Sequence, residues 1–178
     1  LKSITIPASV TSISYKAFFG CSSLSEVNLP QTAISMKSDA FDSTALYNSD
    51  SNWDNGALYI DNHLIRVTAV SSSDFVVKEG TITVADNIFY GHDEAAFMVR
   101  DTIKTISFPA SLMHIGEYNF AALNNLTAIN VVENNQYYSS KEGVLFNKDG
   151  TTLIRYPGNK TVDDYIVPDR VTEIYSGA

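Results

Sequence analysis

A 23-residue recurrence constrains this chain more than any other feature, because a fixed period of that length permits only stacked, quasi-one-dimensional architectures. The first copy reads Leu1, Ile4, Ile6, Pro7, Val10, Ile13, Ala17, Phe18, Cys21, and the second Leu24, Val27, Leu29, Pro30, Ala33, Met36, Ala40, Phe41. Phe18 to Phe41 and Leu1 to Leu24 are both steps of 23 residues. Further copies run Phe75, Val77, Thr81, Val84, Ile88, Phe89; then Ile103, Ile106, Phe108, Pro109, Leu112, Ile115, Asn119, Phe120; then Leu126, Ile129, Val131; and finally Tyr165, Val167, Pro168, Val171, Ile174.

Each copy carries two short extended pieces. The first is an alternating triplet, such as Ile4-Thr5-Ile6 or Ile106-Ser107-Phe108, which puts both apolar side chains on one face. Proline follows in four copies (Pro7, Pro30, Pro109, Pro168) and turns the chain, since it cannot donate to a ladder. The second piece, such as Val10-Thr11-Ser12-Ile13, returns along another side of a coil, and the Ala17-Phe18 pair fits a short turn or helical stub. One copy has too little apolar surface to fold alone, so neighbours must stack. The stacking predicts one continuous interior, with Phe18, Phe41, Phe89 and Phe120 aligned in a column inside it.

The period breaks twice in a similar way. Residues 53–65 and 142–154 each read glycine, an aliphatic-aromatic strand, a polar turn and then Leu-Ile-Arg, ending at Arg66 and Arg155. Asp149-Gly150 is a tight-hairpin signal, and both islands predict β-hairpins projecting from a repeat edge. Between Phe89 and Ile103 the spacing is 14 residues, against 6 from Phe18 to Leu24, and Glu94–Arg100 suits a short helix. The reading is one domain over 1–178, with repeats near 1–23, 24–46, 72–102, 103–125, 126–136 and 163–178 and inserts near 47–71 and 137–162. Leu1 opens a repeat in mid-stride and Ala178 stops where phenylalanine is due, so the sequence reads as part of a longer chain.

Leu1-Lys2-Ser3-Ile4-Thr5-Ile6-Pro7, Val10-Thr11-Ser12-Ile13, Ala17-Phe18 and Gly20-Cys21-Ser22-Ser23-Leu24 resemble the BspA-like (Treponema pallidum type) leucine-rich repeats. Gly143-Val144-Leu145-Phe146 and Tyr156-Pro157 look like inserts common in that family. The resemblance covers nearly the whole chain. Lys78 departs from it where proline is expected, as do Ile88 and Asn119 where alanine is expected. It implies a β-rich leucine-rich-repeat right-handed solenoid. It also implies a secreted or cell-surface protein of a host-associated bacterium, with adhesion or host-protein binding as its role.

Composition narrows the partners. The net charge of −8 disfavours nucleic acid and anionic bilayers, and no stretch approaches the length of a membrane span. The single cysteine, Cys21, forbids an internal disulfide and reads as a small thiol at a repeat position. His63, His92 and His114 lack ligand-pair spacing; His63 falls in a hairpin turn and His92-Asp93-Glu94 in the irregular loop. Asn147-Lys148-Asp149-Gly150 lacks the spacing and the glutamate of a calcium loop, and Asp163-Asp164 point opposite ways if extended. No cofactor, metal or catalytic set is expected.

The central residue of each triplet faces outward: Thr5, Asn28, Val76, Ser107, Asn130 and Ile166, flanked by Ser3, Glu26, Asp74, Thr105, Ala128 and Asp164. This face is mainly small and polar with an acidic edge. It suits a protein or a glycan, and equally suits solvent. The islands carry Trp53, Tyr59, Tyr137, Tyr138 and Tyr156, which are either binding anchors or packing over the flank. The expected function is therefore non-catalytic protein or glycan binding, with a structural spacer as the alternative.

Overall fold

The computed structural model describes residues 1–89, 94–162 and 164–178. Along the chain come β1 (Ser3–Thr5), β2 (Ser12–Ile13), β3 (Glu26–Asn28), β4 (Ser35–Met36), β5 (Trp53–Asp54), β6 (Ala57–Ile60), β7 (His63–Val67), β8 (Asp74–Val76), β9 (Thr83–Val84), helix α1 (Glu94–Thr102), β10 (Thr105–Phe108), β11 (His114–Ile115), β12 (Ala128–Val131), β13 (Tyr138–Lys141), β14 (Val144–Asn147), β15 (Thr152–Arg155) and β16 (Glu173–Ile174). The molecule is a β-solenoid with little helix. His92, Asp93 and Asp163 lie outside the described residues.

Alternation in the first piece becomes parallel pairing in repeat register. Ser3, Ile4 and Thr5 face Glu26, Val27 and Asn28, while Asp74, Phe75 and Val76 face Thr105, Ile106 and Ser107, which face Ala128, Ile129 and Asn130. The 31-residue step from Asp74 to Thr105 exceeds the repeat by the eight residues that the α1 excursion adds. Second pieces stack likewise, Ser12-Ile13 on Ser35-Met36 and Thr83-Val84 on His114-Ile115. Inward side chains merge into one core running from Ile6 to Leu145, and Val144, Phe146 and Leu153 form a smaller second cluster.

The four phenylalanines all join that core. Phe41, Phe89 and Phe120 are buried and Phe18 packs against them half-buried. Phe18 and Phe41 stack at 5.3 Å and 5°, whereas Phe89 and Phe120 turn edge-on to Phe75 and Phe108 of their own coils. The corners before them are turns. Lys16, Asn87 and Tyr118 each take a positive φ (54°, 54°, 61°) two residues before Phe18, Phe89 and Phe120, which stops a helix from starting. Ala40 is buried as a crowded corner requires, whereas Ala17 is exposed.

The hairpins do not project. β6 pairs antiparallel with β7, but β7 also runs parallel to β9, with His63 facing Thr83 and Leu64 facing Val84. In the second island β15 pairs antiparallel with β14 and parallel to β16. The last strand of each island thus enters the second sheet of the solenoid. Leu58, Leu64 and Ile65 are fully buried, which suits an apolar run covered on both faces rather than a surface flap. The turn of the first hairpin is tied to the preceding coil, since the Leu29 amide donates to Asp61 Oδ2 at 2.7 Å and His63 Nε2 to the Pro30 carbonyl at 2.9 Å. His63 therefore begins a buried strand, not a solvated turn.

His63 and His114 flank Thr83 in register. Burial pushes both imidazoles below their ordinary pKa, against weaker opposing effects from the Pro30 carbonyl and Asp61 at His63, and from Asp86 and Glu117 at His114. An unfolded chain takes up protons below about pH 6.5 that the fold refuses, so stability is full above that value and falls as pH drops toward the depressed folded pKa values. Each histidine then costs up to about 1.4 kcal/mol per pH unit. We expect a lower Tm at pH 5.5 than at pH 7.5, with His63→Gln flattening the dependence; an unchanged slope in that variant would remove His63 as a cause.

Candidate binding site

The outward residues divide into two groups. Thr5 and Asn28 are exposed neighbours on β1 and β3, joined by an Asn28 Nδ2 to Thr5 Oγ1 hydrogen bond of 3.4 Å. Val76, Ser107 and Asn130 form a second row on β8, β10 and β12. Val76 is 69% exposed. The two sheets are separate, and the first hairpin falls between them in sequence. Ile166 is 86% exposed but belongs to no strand, so the row does not continue to it.

The island aromatics are held differently from one another. Trp53 is half-buried, donates from Nε1 to the Tyr47 carbonyl at 2.8 Å and meets the Tyr47 ring edge-on at 5.1 Å. The half-buried Tyr138 accepts from the Ile115 amide at 3.0 Å through its hydroxyl. Tyr156 packs at 4.8 Å on Tyr165, while Tyr137 is exposed. These contacts pack Trp53, Tyr138 and Tyr156 partly against their neighbours.

Tyr59 and Val76 do come together. They line an open groove of about 170 Å³ between the first hairpin and β8. Tyr59, Phe75 and Val70 supply its apolar lining, and Asp54 and Asp74 are its carboxylates. The β5–β6 turn carries Asn55 and Gly56 at φ 49° and 81°, a pair that closes a two-residue hairpin and places Asp54 opposite Ala57. A Cβ on Gly56 would meet the Ala69 carbonyl oxygen at 2.5 Å, so the turn sits directly on the chain that leads into β8. The Asn55-Gly56 pair is the sequence signal for this extra strand, which adds β5 to the expected two-stranded hairpin.

Local bonds fix the lining. The Tyr59 hydroxyl accepts from the Lys78 amide at 3.3 Å, and Lys78 Nζ lies 5.7 Å from the Tyr59 ring centre. Thr105 Oγ1 donates to Asp74 Oδ1 at 2.7 Å, and Asn55 Nδ2 to Asp54 Oδ1 at 3.0 Å. Burial raises the Tyr59 pKa, the Lys78 amide opposes this, and the Asp54 charge adds to it. The phenol therefore stays neutral at physiological pH. No group of three or more potential metal ligands occurs among the described residues, and no helix among them is long and apolar enough to cross a membrane.

Comparison with known proteins identifies the fold that carries this groove. The BspA type leucine rich repeat region matches residues 1–93 and 68–178, in six copies. The chain belongs to the BspA-type leucine-rich-repeat family. This BspA-type chain also resembles a leucine-rich repeat protein from Eubacterium ventriosum, with a TM-score of 0.53 and 24% identity over 98% of the chain and 43% of that protein. The pneumococcal vaccine antigen PcpA gives a TM-score of 0.45 at 21% identity, covering 98% of the chain and 41% of the antigen. A leucine rich cell surface protein from Faecalibacterium prausnitzii gives 0.41 at 21%, covering 96% of the chain and 50% of that protein. The BspA-type chain thus spans half or less of each of these solved structures. No curated protein matches it.

Proposed function

We propose that this segment is a non-catalytic binding module, displayed at a bacterial cell surface and engaging a protein partner in adhesion. The observation that carries the reading is the open groove beside Val76. There an aromatic ring, an exposed aliphatic side chain and two carboxylates meet where the first hairpin adjoins β8. Such mixed, partly apolar patches mark recognition sites more often than chance solvent faces do. Membership of a repeat family whose coils build long flat faces supports it, since solenoids typically use such faces for protein contacts.

The test is retention on immobilised extracellular-matrix proteins and on a glycan array. The wild-type chain is expected to bind at least one matrix protein. Val76→Arg should weaken that binding at least about tenfold without changing Tm, because an exposed position carries little folding energy. Retention equal to that of an acidic control protein of the same size would reject the module reading and leave the spacer reading. Retention only on the glycan array would replace the protein partner with a sugar.

A further inference from the structure

The two hairpin units share one pattern of strand pairing and differ at several of the residues around it. Their pairing shifts register at matching points, between Leu58 and Tyr59 in one and between Leu145 and Phe146 in the other. Leu64 faces Val84 as Leu153 faces Ile174. Tyr59 is therefore equivalent to Phe146, Phe75 to Tyr165, and Lys78 to Pro168. In the second unit Phe146 is buried, and Tyr156 and Tyr165 pack against its cluster. The Leu-Ile-Arg run ends on Tyr156 there but on Val67 in the first unit. Val67 is buried in the core and contributes no ring, and in this unit Tyr59 is half-exposed beside an open groove.

We propose that the groove seats a guanidinium group, the side chain of an arginine on a protein partner. This rests on the binding-module reading and names the chemistry of its central contact. A planar cation suits the half-exposed Tyr59 ring, whose counterpart Phe146 is buried in a cluster with Tyr156 and Tyr165. Guanidinium combines that planarity with charge and stacks on aromatic faces. The groove already attracts a cation, since Lys78 Nζ lies over the Tyr59 ring. Asp54 and Asp74 supply two negative charges against that one ammonium, on a chain of net charge −8. A volume of about 170 Å³ takes one side chain rather than a folded segment.

The probe is a short peptide, acetyl-Gly-Ser-Arg-Ser-Gly-amide, titrated into the wild-type chain by NMR alongside its citrulline analogue. Citrulline keeps the shape and removes the charge. The arginine peptide should shift resonances of Tyr59, Phe75 and Val76 at about millimolar concentrations, and the citrulline peptide should bind about tenfold more weakly. Asp54→Asn with Asp74→Asn should weaken binding by a similar factor; both side chains are exposed, so the fold is retained. Lys78→Ala should tighten it several-fold by removing the competing cation. Equal response to both peptides, or no shift at these residues up to ~10 mM, overturns the assignment, as do shifts there with neutral monosaccharides alone. If a matrix protein is still retained while the arginine peptide fails, only the guanidinium assignment falls; if neither binds, the module reading falls with it.

Discussion

Replacing Ile106 by Asp is expected to unfold the array, whereas Ser107→Asp should leave the Tm within about 2 °C of wild type. Ile106 sits on the central strand β10 with Phe75 on one side and Ile129 on the other, and it is 1% exposed. Losing its burial costs about 2–5 kcal/mol, and placing an unpaired carboxylate in that interior costs several more. The sum rivals the whole stability of a typical domain, about 5–15 kcal/mol. Ser107 points the other way, between Val76 and Asn130, where a carboxylate stays in water. Circular dichroism melts of the two variants decide the matter, and equal Tm values would contradict the inward–outward assignment of the strand.

The second large effect is expected at Asn135, which is fully buried. Its Nδ2 donates to the carbonyls of Pro109 and Leu112 at 2.9 Å and Ala110 at 3.3 Å, and its Oδ1 accepts from the amides of Tyr137 and Tyr138 at 2.8 Å. One side chain therefore satisfies the backbone of two successive coils at the point where β13 begins. Asn135→Ala leaves these buried groups without partners, at about 1–3 kcal/mol each where water cannot reach, and we expect a net loss of about 3–5 kcal/mol in urea unfolding. Asn135→Asp should be no better, because it keeps the acceptor but sets an anion against three carbonyl oxygens. A loss below about 1 kcal/mol in either variant would mean that water replaces the side chain.

The strands and their register were legible because alternation and a 23-residue period depend only on local spacing. Ile4-Thr5-Ile6 and Val27-Asn28-Leu29 announce their faces without reference to anything else. The hairpins were legible as hairpins, since turn chemistry is local, but their place was not. Whether β7 projects or joins β9 depends on what covers its second face, and the apolar pairs Leu58 with Ile60 and Leu64 with Ile65 were the available sign. Asn135 was unreadable, because its carbonyl partners lie 23 to 26 residues earlier and its own surroundings look like a polar loop. Asn119 was visible only as a departure from alanine. In the fold it donates to the Ala85 and Gly116 carbonyls and accepts from the Ile88 amide, tying neighbouring coils together. At the candidate site Tyr59 and Val76 could be named from sequence, but the groove between them brings the first hairpin against β8, a juxtaposition that periodicity does not weigh.

Because each island hands its final strand to the wall of the solenoid, it lengthens the polypeptide without disturbing the phase of what comes after. Met36 and Ser38 still bond directly to Asp86 across the whole first insertion, and Lys37 Nζ closes the same seam at 2.6 Å. A hairpin and the coil behind it thus behave as an exchangeable cassette. Such a cassette can be lengthened, dropped or re-lined while the flanking coils keep their partners, so the array tolerates change in its islands at little risk to its scaffold.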